Sequence, residues 1–334
     1  MRGESKHATL VKRDRFYHPE IVIGVPAHNE ERFIEATLKS LQDQSCPDFL
    51  AVISDNASSD RTGEICRRVC AGDARFVYVR QESNCGAAAN FNFLLQQSDS
   101  EYFMWLGAHD LLHPELLERH LAALDDNPGY SLSYSYTEWI DGNDQPLTSQ
   151  QKPWLLWIEE NGRPTNITDG SSFDGFDVSP WVRYVRASNG APECTAVCGV
   201  IRRTVLADVD IVPVAGCDYV ILSHLLFYGP FHRENLPLYV RREILQRDST
   251  YMERITGSDD STRDCRALGA VFIKDFWRLR ARFWEKALFF PYLLWTLDKT
   301  YAIWLWRIIH AVRGKVVSTM PPRVKQTLKR YLSA

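Results

Sequence analysis

Ile21-Val22-Ile23-Gly24-Val25-Pro26-Ala27-His28-Asn29-Glu30-Glu31 is the stretch from which the fold is read. Its apolar, β-branched opening runs without interruption into a polar loop, the pattern of a parallel strand buried on both faces. Beyond the loop, Ile34, Leu38 and Leu41 fall on one helical face, Asn29 stands where a cap belongs, and Glu30-Glu31 suit a first turn. The unit then recurs. A strand over 49–53 ends in Ser54-Asp55-Asn56-Ala57-Ser58-Ser59-Asp60, and a helix with Ile65 and Val69 follows. A strand over 76–79 precedes a helix over 87–97, and a strand over 102–106 precedes a helix that Pro114 opens and Leu116, Leu117, Leu121 and Leu124 line. This alternation predicts an α/β fold, a doubly wound sheet flanked by helices, with ligand loops at the carboxyl ends of the strands.

Composition sets the outer bounds. The 334 residues are 45% hydrophobic and 24% charged, which excludes a disordered, collagen-like or multi-span membrane protein. The net charge of −3 gives no sign of a nucleic-acid partner. The eight cysteines include no C-x-x-C pair, so reduced, mostly buried thiols are expected rather than a zinc site or a disulfide framework. Residues 1–19 are a polar extension without the apolar run of a secretory signal. No G-x-G-x-x-G follows the first strand and no Walker-type loop is present, so the polar strand-end loops need another explanation.

Four loops supply it. They are Pro26-Ala27-His28-Asn29-Glu30-Glu31, Asp55 to Thr62, Asn84-Cys85-Gly86-Ala87-Ala88-Ala89-Asn90, and Gly107-Ala108-His109-Asp110. In this order, over residues 20–128, they resemble the nucleotide-sugar-binding half of family 2 glycosyltransferases of the GT-A fold. The resemblance implies a GT-A type mixed sheet and a donor site in which Pro26, His28, Asn29 and Glu30 wrap base and ribose. Glu30 equally suits a first helical turn. Asp55 is expected to accept a hydrogen bond from a pyrimidine N3–H, which points to a uracil-type base; the bland alternative is a helix cap, for which Asp60 is better placed. Asn84, Gly86 and Asn90 open the third helix, where backbone N–H groups suit phosphate.

The fourth loop departs from the family, which usually has D-x-D-D there. Gly107 and His109 replace two of the acids and only Asp110 remains. Asp110 and His109 are the expected ligands of a divalent cation, Mn2+ or Mg2+, completed by phosphate and water. The alternative is a lost metal site. Those missing acids also leave open a catalytically inactive sugar-nucleotide-binding or scaffold protein.

In the second half, Ala215-Gly216-Cys217-Asp218-Tyr219-Val220-Ile221-Leu222 resembles the family segment whose acid acts as general base, which makes Asp218 the expected catalytic residue. Cys217 stands where a second acid is common. Arg241, Arg242 or Arg247 is expected to offset diphosphate charge. Strands are expected over 130–139, 196–201 and 236–241, a helix over 219–228, and long loops over 143–192.

Splitting the chain at residue 271 changes the charge picture. Residues 271–334 carry a net +10 and the remainder −13. Phe272, Phe276, Leu279, Phe283 and Ala287 recur there at helical spacing among basic residues, with Trp295, Trp304 and Trp306 further on. Such a C-terminal helical extension reads as a membrane-surface element, with packing on the catalytic domain or a homodimer contact as alternatives. The expected organisation is an extension over 1–19, a donor half over 20–128, an acceptor half over 129–247, a linker over 248–270 and the basic tail over 271–334. The expected activity is inverting transfer from a nucleotide-diphospho-sugar to a glycan or lipid-linked acceptor, at the cytoplasmic face of the plasma membrane, with no nucleic-acid partner.

Overall fold

The computed structural model describes residues 18–147, 156–160, 163–168, 178–188, 195–214, 216–244 and 264–297. The expected linker up to residue 263, Arg247 and everything beyond 297 lie outside the described residues.

The opening stretch forms strand β1 (Ile21–Ala27), followed by helix α1 (Ile34–Gln42), β2 (Phe49–Asp55), α2 (Thr62–Gly72), β3 (Phe76–Arg80), α3 (Ala87–Gln96) and β4 (Tyr102–Trp105). A short β5 (Leu111–Leu112) precedes α4 (Leu116–Asp126) and β6 (Leu132–Ile140). Then come a hairpin of β7 (Leu156–Glu160) and β8 (Arg163–Thr168), α5 (Pro180–Ser188), β9 (Val200–Arg202), α6 (Cys217–Tyr228) and β10 (Phe231–Arg242). Two helices, α7 (Asp264–Arg278) and α8 (Phe283–Leu297), close the described chain.

The strands form one mixed sheet in the order β3-β2-β1-β4-β9-β6-β10-β5, with β8 pairing onto β6 and β7 onto β8. The β3-β2-β1-β4 part is parallel, as continuous apolar runs demand. Antiparallel β9 then bridges β4 to β6. Side-chain alternation along β1 and β2 divides the core. Ile21, Ile23, Val25, Ala51 and Ile53 pack with α1, α2 and α4 on one face, while Val22, Val52, Phe103 and Trp105 pack with α3 and α6 on the other. Gly24 lets α3 lie close to β1, since a Cβ there would stand 2.9 Å from the Leu94 Cβ. A third apolar cluster joins Trp181 and Tyr184 of α5 to Phe227 of α6, Phe272 and Phe276 of α7, and Leu293 of α8. The C-terminal helices are thus packed onto the sheet domain.

The structure corrects several expectations. Asn29 does not cap α1: the helix starts at Ile34, and Asn29 sits in a left-handed turn at φ 54. Residues 195–198 form a 3-10 turn, and the strand begins at Val200. The supposed loop region over 143–192 contains the β7–β8 hairpin and α5. The apolar spacing through 272–287 is not one helix, because the chain breaks between Arg278 and Phe283. Among the described residues, no helix is long and apolar enough to cross a membrane.

One core group sets an acid limit. The buried His120 imidazole bonds the Ser133 hydroxyl at 2.8 Å, and burial pushes its pKa down to about 3. An unfolded chain protonates this histidine below about 6.5, while the folded protein keeps it neutral. Its contribution is therefore retained above pH 6.5 and lost as pH falls below it, by about 2 kcal/mol at pH 5. Urea unfolding near pH 7 and near pH 5 measures that loss. His120→Asn should flatten the slope, and an unchanged slope would refute the assignment.

Candidate functional site

The loops after β1 and β2 are clasped together by a ladder of backbone-to-side-chain bonds. Asn29 N–H donates to the Ser58 hydroxyl (3.0 Å) and Glu30 N–H to the Thr62 hydroxyl (2.8 Å). Glu31 N–H donates to the Asp60 carboxylate (3.0 Å), and Ser59 N–H to the Asn29 side-chain oxygen (2.8 Å). Polar turn residues at 28–31 and 55–62 are therefore used mainly on each other, which fixes both loops in one shape.

Asp55 lies at the centre of this clasp. Its side chain is 0% exposed. Oδ1 accepts from Ser58 N–H at 2.8 Å, and Oδ2 accepts from the Tyr78 hydroxyl at 2.6 Å and the Arg80 guanidinium at 2.7 Å. Burial alone pushes this carboxyl up, but the bonds from Ser58, Tyr78 and Arg80 outweigh it and hold it below the usual carboxylate range. The Tyr78 hydroxyl is pushed up to about 12 by burial and by that carboxylate. Both oxygens are engaged and enclosed in this structure, where the side chain builds the loop. Asp55→Asn should cost about 2 kcal/mol, because an amide has one acceptor oxygen and cannot accept from Ser58 N–H on one side and from Tyr78 and the half-exposed Arg80 on the other. An unchanged urea midpoint would contradict that.

A second network ties the loop before α3 to the first two. The Asn56 amide donates to the Asn84 oxygen (2.9 Å) and accepts from Cys85 N–H (2.9 Å). His28 Nδ1 lies 2.9 Å from the Asn56 carbonyl, which makes Nδ1 the protonated nitrogen. Its Nε2 then accepts from Asn84 at 3.3 Å. Asn84 also accepts from Gly86 N–H, and Gly86, at φ 82, turns the chain into α3. His28, Asn84 and Gly86 are exposed at this junction. Asn90 is not: it is buried and bonds the Ser54 hydroxyl and carbonyl, so it anchors α3 to β2, contrary to a ligand-facing role. Pro26 lies within β1, opposite Ser54.

The fourth loop is held from the far end of the sheet. Asp110 Oδ2 accepts from the Tyr239 hydroxyl at 2.7 Å, and Oδ1 accepts from Arg242 N–H at 2.8 Å. The Arg242 guanidinium is buried, donates to the His109 carbonyl at 2.9 Å and pairs with Asp144. His109 Nδ1 lies 3.2 Å from the Glu30 carboxylate, joining the first and fourth loops. Gly107 has no room for a side chain, since a Cβ there would lie within 2.4 Å of Asp110 Oδ2.

These positions do not fit the expected cation. Asp110 has both oxygens engaged, Gly107 offers no donor, and His109 meets Glu30 through Nδ1 at 3.2 Å while its Nε2 lies 3.9 Å from Asp110 Oδ1. Among the described residues no group of three or more His, Cys, Asp or Glu is placed to hold a metal ion. Asp110 and His109 are used here within the loop, and the metal dependence of UDP binding decides whether Asp110 also takes a cation.

Asp218 lies in the first turn of α6, just after Gly216 at φ 80, and is half-buried. Its Oδ1 accepts from Tyr219 N–H at 3.2 Å. The charges of Arg241, Asp110 and Asp218 all act on the Cys198 thiol, which burial above all pushes up to about 11. Arg241 adjoins Arg242, whose N–H bonds Asp110, and Asp218 lies within electrostatic reach of the same thiol. Arg241 also stacks over the Trp139 ring at 5.0 Å. Cys217, beside Asp218, is pushed up to about 12 by burial first and by that carboxylate second, so it stays a thiol.

Comparison with known proteins agrees with this arrangement. Residues 22–176 match the model of glycosyl transferase family 2. This part of the chain is similar to that family. The putative teichuronic acid biosynthesis glycosyltransferase TuaG of Bacillus subtilis is 30% identical over 121 residues, 36% of this chain and 47% of that protein. The GalNAc(5)-diNAcBac-PP-undecaprenol beta-1,3-glucosyltransferase of Campylobacter jejuni is 31% identical over 116 residues, 34% of this chain and 36% of that protein. The chain thus spans less than half the length of these curated relatives. The S. aureus TarS 1-349 crystal structure in complex with UDP-GlcNAc superimposes with a TM-score of 0.58 at 16% identity, covering 82% of this chain and 71% of that one. The fold is the GT-A fold, with C-terminal helices.

Sequence reasoning missed Tyr78, Arg80, Tyr239 and Cys198, and of the alternatives Arg241, Arg242 and Arg247 the structure uses Arg242 in buried bonds to the fourth loop. The one available signal was polar or aromatic residues interrupting apolar strand runs at 78–80 and 239–242.

Proposed function

We propose that this chain is an inverting glycosyltransferase that moves a sugar from a UDP-sugar to a hydroxyl acceptor in glycan assembly. The observation that carries the reading is Asp218, half-buried in the first turn of α6 and within electrostatic reach of the Cys198 thiol, as is Asp110. The family match, and UDP-GlcNAc in the TarS structure, support the donor class.

In this reading the junction of His28, Asn84 and Gly86 receives the nucleotide, with backbone N–H groups at the start of α3 toward phosphate. Asp218 accepts the proton of the acceptor hydroxyl as its oxygen attacks the anomeric carbon. The bond from that carbon to the diphosphate oxygen breaks, the configuration inverts, and UDP leaves. Arg241 supplies positive charge on the leaving side. No step is routed through a protein-held cation. The undecaprenol-linked substrate named for the Campylobacter relative supports a lipid-linked acceptor and a membrane setting, with the basic C-terminal part as contact.

UDP release measured over a panel of UDP-sugars and soluble glycan acceptors tests the proposal. Release with one donor is the expected result. Tight UDP binding with no release from any donor would favour the binding-only reading that Gly107 and His109 leave open.

A further inference from the structure

Among the described residues, every exposed large hydrophobic side chain lies in one place. They are Trp277 (39%), Phe283 (76%), Trp284 (52%) and Tyr292 (37%), all on the hairpin of α7 and α8. The turn between the helices reads Phe276-Trp277-Arg278-Leu279-Arg280-Ala281-Arg282-Phe283-Trp284. It contains no acid, and three arginines alternate between two aromatic pairs. Phe276 and Leu279 are buried and seat the turn on the α5–α6 layer, while Arg278, Arg280 and Arg282 are exposed.

The turn is fixed. Arg280 N–H donates to the Tyr228 hydroxyl at 3.1 Å, and the Lys286 ammonium donates to the Trp277 carbonyl at 2.7 Å. The Glu285 carboxylate accepts from Arg282 N–H at 3.3 Å. Arg280 pairs with Asp208 and Arg278 reaches Asp210, both at the surface, where ion pairs are weak. Aromatic rings exposed to water and interleaved along the turn with exposed arginines form an apolar, cationic corner.

We propose that this corner docks on an anionic lipid bilayer, with Phe283 and Trp284 entering the headgroup boundary and the arginines meeting lipid phosphates. Charge selects that occupant. A second copy meeting the corner about a two-fold axis would bring six arginines together. Residues 298–334 carry a net +7 and so offer no complement either. The inference localises the membrane contact that accompanies the transferase reading, while donor binding does not depend on it.

Co-sedimentation of the full chain with vesicles of phosphatidylcholine, with or without phosphatidylglycerol, tests it. Binding is expected only with phosphatidylglycerol, and should weaken as salt rises. Arg280→Gln with Arg282→Gln should lower it about tenfold. Phe283→Ser with Trp284→Ser should abolish it, while circular dichroism and UDP affinity stay unchanged. Equal binding to neutral vesicles would overturn the proposal. So would retained binding by the Phe283/Trp284 variant, or a dimer that this variant dissociates without losing vesicle binding. If vesicles bind as expected but no donor panel yields UDP release, the transferase reading fails and the docking surface stands.

Discussion

Asp218→Asn is expected to lower kcat by about a thousandfold and leave UDP affinity within about twofold of the unaltered protein. The amide fills the same volume, and its oxygen still accepts from Tyr219 N–H, so the start of α6 is preserved. What it loses is the ability to take a proton. The neighbouring groups do not substitute for it. Cys217 and Cys198 are pushed up to about 12 and about 11, mainly by burial, and are neutral thiols at working pH. Burial drives Tyr239 well above its ordinary value, and Asp110 is occupied by Tyr239 and Arg242. Single-turnover transfer, with UDP calorimetry beside it, separates the outcomes. Lost transfer with intact UDP affinity supports proton acceptance at Asp218; undiminished transfer places the base elsewhere. Cys217→Ser should leave kcat unchanged, which distinguishes a proton acceptor from mere proximity to the α6 terminus.

The parallel half of the fold was legible because its signal is local. An apolar run such as residues 21–25 specifies a buried strand whatever lies elsewhere in the chain. The partners of the polar loop residues are not local. Asp55 meets Arg80 only because parallel pairing sets the two opposite one another across β2 and β3. Asp110 meets Tyr239 across 129 positions, because β10 runs antiparallel to β5 with Tyr239 opposite Leu112. Register of that kind is not written in either segment alone, so the loop-fastening bonds of these two carboxylates were not legible in the sequence. In the C-terminal part, apolar spacing continues through residue 283 although the helix does not. Phe283 therefore reads as part of one apolar helical face, and is the most exposed large hydrophobic side chain among the described residues.

Asp110→Asn gives the second large effect, and its dependence on metal is the informative part. Asp110 Oδ1 and Oδ2 bond Arg242 N–H and the Tyr239 hydroxyl, so the carboxylate stitches the fourth loop to β10. An amide keeps one acceptor and turns an N–H toward the buried Tyr239 hydroxyl, beside Gly107, where no space is left. The expected cost is about 2 kcal/mol of stability, read as a lower urea midpoint without nucleotide. UDP affinity should fall about tenfold as His109 and Glu30 lose their common placement. Crucially, that fall should be the same with Mn2+ and with a chelator, and the unaltered protein should bind UDP within about twofold in either condition. A carboxylate that held a cation would behave differently: chelation would weaken UDP binding in the unaltered protein, and Asp110→Asn would remove the response to metal. Calorimetry on both proteins under both conditions therefore decides whether Asp110 is a fastener or a ligand, because only a ligand couples the substitution to the metal.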